Sequence, residues 1–174
     1  MQKVKIQIEV AMMVALSIVL SYLKVFAMPN GGSVSLQMLP LIVLAMRHGA
    51  VVGVSGGLLF GVISILLSRS IVHPIQAILD YPLAFGVIGL SGLWIRYGRS
   101  WNDYVRNIAA LVFVGLLRYA AHVISGAIFF SAYAPEGTNA WIYSAIYNVT
   151  YLAPEMLVTI AAALLMITRK SMFK

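Results

Sequence analysis

The sequence predicts an all-α integral membrane protein of six transmembrane helices, with both ends of the chain cytoplasmic and no soluble domain. Of the 174 residues, 61% are hydrophobic and 10% are charged, whereas soluble domains carry about 25% charged residues. The mean hydropathy of +0.94 is too high for a soluble chain of this size, which still exposes roughly a third of its surface. Since six spans take about 20 residues each, we expect a single domain over residues 1–174 with no room for a catalytic or nucleotide-binding domain.

Six charge-poor apolar windows, bounded by Gly, Pro or basic clusters, mark the predicted spans. They are Ile6 to Ala27, Leu36 to Met46, Gly49 to Ser68, Ile75 to Ile95, Asn107 to Ser131 and Trp141 to Thr168. We expect the first to be a retained helix, not a signal peptide, because another membrane-compatible segment follows it. The second is short for a crossing, so part of that crossing is expected to be irregular chain enclosed by protein or a cavity. The loop of residues 28–36 is a candidate lid.

Basic residues set the predicted orientation, because cytoplasmic loops are enriched in Lys and Arg. With both ends inside, the outer side carries only Lys24 and Arg69. The inner side carries Lys3, Lys5, Arg47, Arg96, Arg99, Arg106, Arg169, Lys170 and Lys174. The net charge of +7 therefore reflects topology and an affinity for anionic lipid, and no nucleic-acid partner is expected.

Small residues at four-residue spacing mark two faces where another helix backbone can approach closely. In the third span the glycines fall at 49, 53, 57 and 61, which predicts packing inside the protein. In the first span Ala11 and Ala15 form one such pair. That pair serves either internal packing or the docking of a separate membrane subunit, and the spacing alone leaves both open.

Ionisable residues in membrane spans are costly and usually mark function. Those in or near the predicted spans are Glu9, Asp80, Arg118, His122 and Glu155. At a rise of about 1.5 Å per residue, Asp80 lies about 8 Å and Asn148 about 10 Å below the outer ends of their spans, and His122 about 22 Å above the inner end of its own. All three side chains are therefore predicted to reach one outer layer, while Glu9 lies near the inner surface.

Aromatic side chains accompany this polar layer and predict a pocket. They are Tyr81 beside Asp80, the tyrosines 143, 147 and 151 around Asn148, and Phe129 with Phe130 above His122. Arg118, His122, Gly126 and Phe130 repeat every four residues and so share one helix face. A carboxylate, an amide, an imidazole and aromatic rings suit a flat heteroaromatic ligand, particularly a cationic one.

Structural explanations stand beside this hypothesis. Asp80 and Arg118 would neutralise each other if they formed a pair, and Glu155 either pairs with Arg118 or supports a kink at Pro154. His73 and Gln76 either rim the pocket or occupy the outer headgroup layer. Trp141 is either an interfacial anchor or part of the pocket wall.

Two other classes of protein are disfavoured. Gly53 to Gly56 and Gly89 to Gly92 each match the GxSG element of six-helix intramembrane serine proteases, but Ser55 is predicted some 13 Å from the His122 layer, and a nucleophile needs its base at about 3 Å. A self-sufficient channel or secondary carrier is disfavoured because paired repeats and broken helices are absent. With no cysteine and no phosphate-binding loop in the chain, we expect no cofactor and no metal, and any ATP-driven work falls to partners.

Five stretches of the chain resemble the thiamine-specific substrate-binding subunits (S components, ThiT/YuaJ type) of energy-coupling factor (ECF) transporters. They are Gly31 to Pro40, His73 to Pro82, Arg118 to Gly126, Tyr133 to Gly137 and Tyr143 to Asn148. The resemblance covers essentially the whole chain. It implies a non-enzymatic subunit of the bacterial plasma membrane that captures thiamine from outside, with hydroxymethylpyrimidine, thiamine phosphates or another vitamin as alternative ligands.

The resemblance also implies roles for individual residues. The ligand-binding residues it implies, together with their neighbours in the predicted pocket, are Asp80, Tyr81, Arg118, His122, Gly126, Phe130, Tyr143, Tyr147 and Asn148. Ala11 and Ala15 are implied to dock the transmembrane coupling subunit, and two cytoplasmic ATPases to drive release. The chain departs from the family pattern at Phe130, where a stacking Trp is usual, and at Asp80, where the acidic residue is usually Glu.

Overall fold

The computed structural model describes residues 2–68, 71–95 and 100–167. In these ranges five helices are long and apolar enough to cross a membrane, and a sixth apolar helix is shorter, which confirms the predicted all-α membrane fold. The helices are α1 (Gln2–Tyr22), α2 (Met38–His48), α3 (Ala50–Leu67), α4 (Pro74–Leu93), α5 (Trp101–Phe129) and α6 (Ala140–Ile167). The basic residues predicted at Arg69, Arg96, Arg99, Arg169, Lys170 and Lys174 lie outside the described ranges.

The first helix ends at Tyr22, earlier than the predicted Ala27. Strand β1 (Phe26–Ala27) pairs with β2 (Ser33–Val34) in an antiparallel hairpin. The hairpin turn contains Gly31 at φ +96° and Gly32 at φ +89°, a backbone conformation that glycine adopts without strain. The prediction of a longer helix was wrong because apolar composition alone does not distinguish a helix end from a short apolar strand.

The fifth helix begins at Trp101, earlier than the predicted Asn107, and ends at Phe129. The Ser100 hydroxyl accepts a hydrogen bond from the Asp103 backbone N–H at 3.2 Å, which satisfies one of the free donors at a helix start. A single turn of 3₁₀ helix, Ser131–Tyr133, follows. The charged first turn extends the helix beyond the apolar window, so a hydropathy criterion places its start too late.

Helix α2 is too short to cross a membrane and is enclosed by the other helices. Its central side chains Leu41, Ile42 and Leu44 are fully buried. The sequence predicted that part of this crossing is irregular chain enclosed by protein or a cavity. The segment that precedes α2 is instead a β-hairpin, and its first strand is exposed.

Glycines bring α3 into backbone contact with α4, where the four-residue spacing predicted packing inside the protein with no particular partner. A Cβ at Gly53 would lie 3.0 Å from the Cα of Gly89, and one at Gly57 would lie 2.3 Å from the carbonyl oxygen of Phe85. Gly49 differs from these glycines, because it connects α2 to α3 at φ +83° with no heavy atom within 4 Å of a Cβ. The predicted packing therefore begins at Gly53.

Helix α4 is irregular at the point where it carries the acidic residue. An α-helical start gives way to a π-helical turn at Leu79–Leu83, which contains Asp80, Tyr81 and Pro82. Proline has no N–H to donate and disturbs the α-helical hydrogen-bond ladder, and π turns occur often at functional sites. Beyond this turn α4 ends in a 3₁₀ segment, Val87–Leu93.

A small ion cluster joins α1 to the end of α2 at the inner surface. The Glu9 carboxylate pairs with the Arg47 guanidinium and lies 2.9 Å from the Nε2 of His48. Glu9 was predicted near this surface, and the structure adds its partners. Its side chain remains 22% exposed, so the cluster is partly screened by solvent.

Candidate ligand-binding cavity

A cavity of about 340 Å³ lies between the hairpin loop and the outer parts of the helices. Phe129, which the sequence placed among the pocket aromatics, does not line it. The lining does include every residue to which the resemblance and the predicted pocket together assigned ligand binding. These are Asp80, Tyr81, Arg118, His122, Gly126, Phe130, Tyr143, Tyr147 and Asn148. The volume is within the range of pockets for small organic molecules.

One wall of the cavity is a chain of three hydrogen-bonded side chains. Gln76 donates from Nε2 to Oδ2 of Asp80 at 2.7 Å, and Nδ1 of His122 lies 3.1 Å from Oδ1 of the same carboxylate. Because a carboxylate only accepts, this contact places a proton on Nδ1 of His122. The other ring nitrogen, Nε2, is buried and has no hydrogen-bond partner among the described residues.

Gln76 is thereby assigned to the site, where the sequence left it between pocket rim and headgroup layer. Its side chain is 1% exposed, it lines the cavity, and its Oε1 accepts from the Val72 N–H at 3.2 Å. His73 does not line the cavity. It begins α4, where its Nδ1 accepts from the Ile75 N–H, and its ring stacks on Phe129.

The opposite wall is formed by α6, and its polar groups are bonded to one another. Asn148 donates from Nδ2 to the Ser144 carbonyl oxygen at 2.9 Å, and its Oδ1 accepts from the Tyr151 hydroxyl at 2.7 Å. A Cβ at Gly126 would lie 2.3 Å from the Ser144 hydroxyl. Gly126 therefore lets α5 approach α6, in addition to lining the cavity.

Arg118 lies at the floor of the cavity and forms an ion pair with a buried carboxylate behind it. Arg118 donates from Nη1 to Oε2 of Glu155 at 2.7 Å, and its guanidinium carbon lies 4.5 Å from the ring centre of Phe85. Both charged side chains are buried, at 3% and 0% exposure. The alternative of an Asp80–Arg118 pair is not formed, and of the two roles left open for Glu155, the pair with Arg118 is found.

The hairpin loop covers the cavity and is bonded to α6. The Tyr147 hydroxyl accepts from the Asn30 N–H at 3.0 Å and donates to the Gly31 carbonyl oxygen at 2.9 Å. A Cβ at Gly32 would lie 2.5 Å from the ring of Tyr151. The loop that the sequence singled out as a candidate lid is thus positioned by tyrosines of one helix.

Sequence reasoning missed several residues that line the cavity, among them Gln37, Ser68 and Lys24. Gln37 is a lone amide beside an apolar run, which is a usable signal. Ser68 lies 2.5 Å from the Tyr81 hydroxyl across two helices, and no spacing rule reveals such a contact. Trp141 does not line the cavity and is 51% exposed, which excludes it as a pocket wall.

The serine protease alternative finds no support in this geometry. Ser55 and Ser91 do not line the cavity that contains His122. The Ser55 hydroxyl donates to the Val51 carbonyl oxygen of its own helix at 2.8 Å. No cluster of three His, Cys, Asp or Glu side chains able to hold a metal is present in the described ranges.

Apolar spanning helices that enclose a polar, aromatic-lined cavity near one surface define a multi-pass membrane protein with a site for a small organic molecule. The family model described as thiamine transporter protein (Thia_YuaJ) matches residues 7–174. The chain belongs to this family, which comprises transporters and not enzymes, and it is a multi-pass protein of the bacterial cell membrane.

Individual relatives are similar along most of their length. The thiamine transporter ThiT of Bacillus subtilis is 39% identical over 178 aligned positions, which cover 96% of this chain and 93% of that protein. The thiamine transporter ThiT of Lacticaseibacillus paracasei is 33% identical, with 81% and 76% covered. The solved structure of ThiT from Listeria monocytogenes superimposes with a TM-score of 0.85 at 28% identity, and the match covers 99% of this chain and 98% of that one.

Proposed function

We propose that this chain is the substrate-binding S component of an ECF-type transporter and that it captures thiamine from outside the cell. The observation that carries the proposal is a partly buried carboxylate, Asp80, hydrogen-bonded to His122 in an aromatic-lined cavity. Thiamine combines a cationic thiazolium ring with an aminopyrimidine ring, and each has a counterpart in this cavity.

Asp80 supplies the negative charge for the thiazolium ring. Each of its two oxygens has a hydrogen-bond partner, Gln76 for one and His122 for the other. Neither partner carries a fixed positive charge, however, and hydrogen bonds leave the net charge in place. A cationic ligand beside Asp80 provides the missing countercharge in a region of low dielectric, where charge pairs are strong.

His122 supplies an acceptor for the aminopyrimidine ring. In the neutral tautomer with the proton on Nδ1, toward Asp80, the imidazole has Nε2 as its remaining acceptor. That atom is buried and has no partner among the described residues, so we expect the side chains around it to shift when an exocyclic amine of the ligand binds to it. Asn148 contributes less than the sequence suggested, because its amide is already bonded to Ser144 and Tyr151.

Aromatic pairs supply the faces against which flat rings pack. Phe130 and Tyr133 stack with ring centres 6.1 Å apart, and Tyr143 and Tyr147 lie at 5.9 Å. All four line the cavity. Phe130 occupies the position at which the family usually has Trp, and the adjoining Tyr133 extends the surface of this smaller ring. Such faces attract cations as well as aromatic rings.

The direct test is calorimetric titration of the purified protein with thiamine, thiamine monophosphate and hydroxymethylpyrimidine. Calorimetry is preferable to tryptophan fluorescence because Trp94, Trp101 and Trp141 do not line the cavity. We expect thiamine to bind most tightly, since the pyrimidine half lacks the cation and the monophosphate adds negative charge. Tighter binding of either other ligand would replace thiamine as the proposed substrate, and chemical recovery of unchanged thiamine checks that nothing is turned over.

Coupling to ECF partners is the second part of the proposal. Ala11 and Ala15 are both exposed on α1, so the small-residue pair is not used for packing inside the described chain. That exposure supports docking to a transmembrane coupling subunit, with two cytoplasmic ATPases providing the energy for release. Two small residues one turn apart allow a partner helix to approach closely.

Substitution of Ala15 by Trp tests the docking role. We expect Ala15→Trp to leave thiamine binding by the purified chain unchanged and to abolish thiamine uptake in cells, because the large ring separates the two helices. Leu157→Trp is the matched control, since Leu157 is exposed on α6, and it is expected to retain uptake. Normal uptake by the Ala15 variant would contradict docking at this face.

A further inference from the structure

Glu155 lies behind the floor of the cavity and binds groups from two directions. Its Oε2 accepts from Nη1 of Arg118 at 2.7 Å. Its Oε1 accepts from the Ser35 hydroxyl at 3.2 Å and from Nε2 of Gln37 at 3.0 Å. Arg118 and Gln37 line the cavity, whereas Glu155 does not and is 0% exposed. The buried carboxylate therefore acts on the cavity through the residues it holds.

The ion pair of Arg118 and Glu155 determines the net charge around the cavity. Arg118 is 3% exposed, and its buried Nε has no partner in the described ranges, so without Glu155 it would present an unpaired cation with free donors to a bound ligand. Glu155 cancels that charge, and Asp80 then remains without a fixed countercharge. Lys24 also lines the cavity, but it is exposed at the mouth, where water screens its charge.

We propose that Glu155 is a specificity-determining positioning residue, which makes the cavity select a cation and prevents Arg118 from binding an anionic group such as a phosphate ester. This inference rests on the proposed function, because thiamine and its monophosphate are the ligands it distinguishes. Guanidinium groups bind phosphate strongly when they are free to do so. The Arg118–Glu155 pair withholds this binding capacity from the cavity.

The test is the selectivity of Glu155→Gln, measured as the ratio of Kd for thiamine monophosphate to Kd for thiamine. The amide keeps the size of the side chain and an acceptor for Ser35 and Gln37, while it removes the charge that cancels Arg118. We expect the ratio to fall about tenfold, the effect of one unit charge about 10 Å away at an effective dielectric constant of 20. A structural role alone would weaken both ligands equally, and an unchanged ratio overturns the inference.

Two further measurements keep the inference independent of folding and of the proposed function. The double variant Arg118→Gln, Glu155→Gln removes both charges and is expected to restore the wild-type ratio. In the wild-type protein, O-acetylthiamine adds bulk without negative charge and is expected to bind about tenfold more tightly than the monophosphate; equal binding of the two overturns the inference even if no variant folds. Failure of the wild-type protein to bind thiamine would instead refute the proposed function.

Discussion

The outer half of the helix bundle, which holds the cavity, and the inner half, where α3 and α4 pack closely, differ in their packing and polarity. The outer half encloses a cavity of about 340 Å³ whose polar side chains are hydrogen-bonded across helices, as between Asp80 and His122. In the inner half, α3 and α4 touch through their backbones at Gly53 and Gly89. Selective recognition needs polar groups and open space, which cost stability in a membrane. The close-packed inner half supplies stability that offsets the cost of these polar groups and of the open space.

The inner half consists mainly of buried aliphatic side chains that need no hydrogen-bond partners. The cluster around α2 includes Leu41, Ile88, Leu111 and Val114, all of which are fully buried. Close packing of this kind leaves little room for rearrangement, because interiors of such density tolerate even single methylene groups poorly. Substitutions here are therefore expected to affect stability, and substitutions in the outer half to affect ligand binding.

The largest effect is expected from Gly89→Ala, which disrupts the packing of α3 against α4 in the inner half and lowers stability. A Cβ at Gly89 would lie 2.1 Å from the backbone nitrogen of Val54, and a backbone atom cannot move aside as a side-chain tip does. We expect a loss of about 3 kcal/mol in the free energy of unfolding, at the upper end of the cost of overpacking. Denaturant unfolding in detergent measures this loss.

Gly86→Ala is the matched control in the same helix. A Cβ at Gly86 would approach only the side-chain tip of Leu58, at 3.0 Å, and this tip has room to rotate. Alanine also has a better helix propensity than glycine by about 1 kcal/mol. We expect unchanged or slightly raised stability, and equal destabilisation by both substitutions would contradict the role assigned to backbone contact between α3 and α4.

The next largest effect is expected from Asp80→Asn, which removes the charge of the outer half while it preserves the shape of the side chain. Loss of a charge that balances the ligand is expected to weaken the Kd for thiamine about 100-fold, which corresponds to about 2.7 kcal/mol. Calorimetric titration measures the affinity. Stability is expected to change little, because the amide oxygen still accepts from Gln76 and the amide N–H donates to Nδ1 of His122 once the imidazole proton moves to Nε2.

Asp103→Asn provides the control for a general charge effect, because Asp103 lies at the start of α5, near the inner surface and away from the cavity. It is expected to bind thiamine as the wild-type protein does. Unchanged affinity in the Asp80 variant would remove this carboxylate from the proposed site.

The two halves also differ in how far the sequence predicted them. The glycine spacing of α3 predicted a close backbone approach inside the protein, and the structure shows that α4 is the partner. Intramembrane charge predicted the charged residues of the cavity wall. The pairing of Arg118 with Glu155 instead of Asp80 depends on the rotation of three helices about their axes, which one sequence does not specify. The early end of α1 was missed because the hairpin that follows it is equally apolar.

The smallest of the three effects is expected from Tyr147→Phe. This substitution tests how much the hairpin loop contributes to ligand binding apart from the cavity walls. The hydroxyl removed holds the Asn30 N–H and the Gly31 carbonyl oxygen, while the ring face toward Tyr143 is kept. Two hydrogen bonds contribute about 1.5 kcal/mol together, so we expect about tenfold weaker thiamine binding. Loss of a closing contact acts on escape of the ligand, so stopped-flow release is expected to be faster and association nearly unchanged.

Tyr119→Phe is the control, because its hydroxyl donates to the Ala145 carbonyl oxygen outside the cavity. If both variants released thiamine at the wild-type rate, the loop would not act as a lid held by Tyr147, and the selectivity of the outer half would have to come from the cavity walls alone.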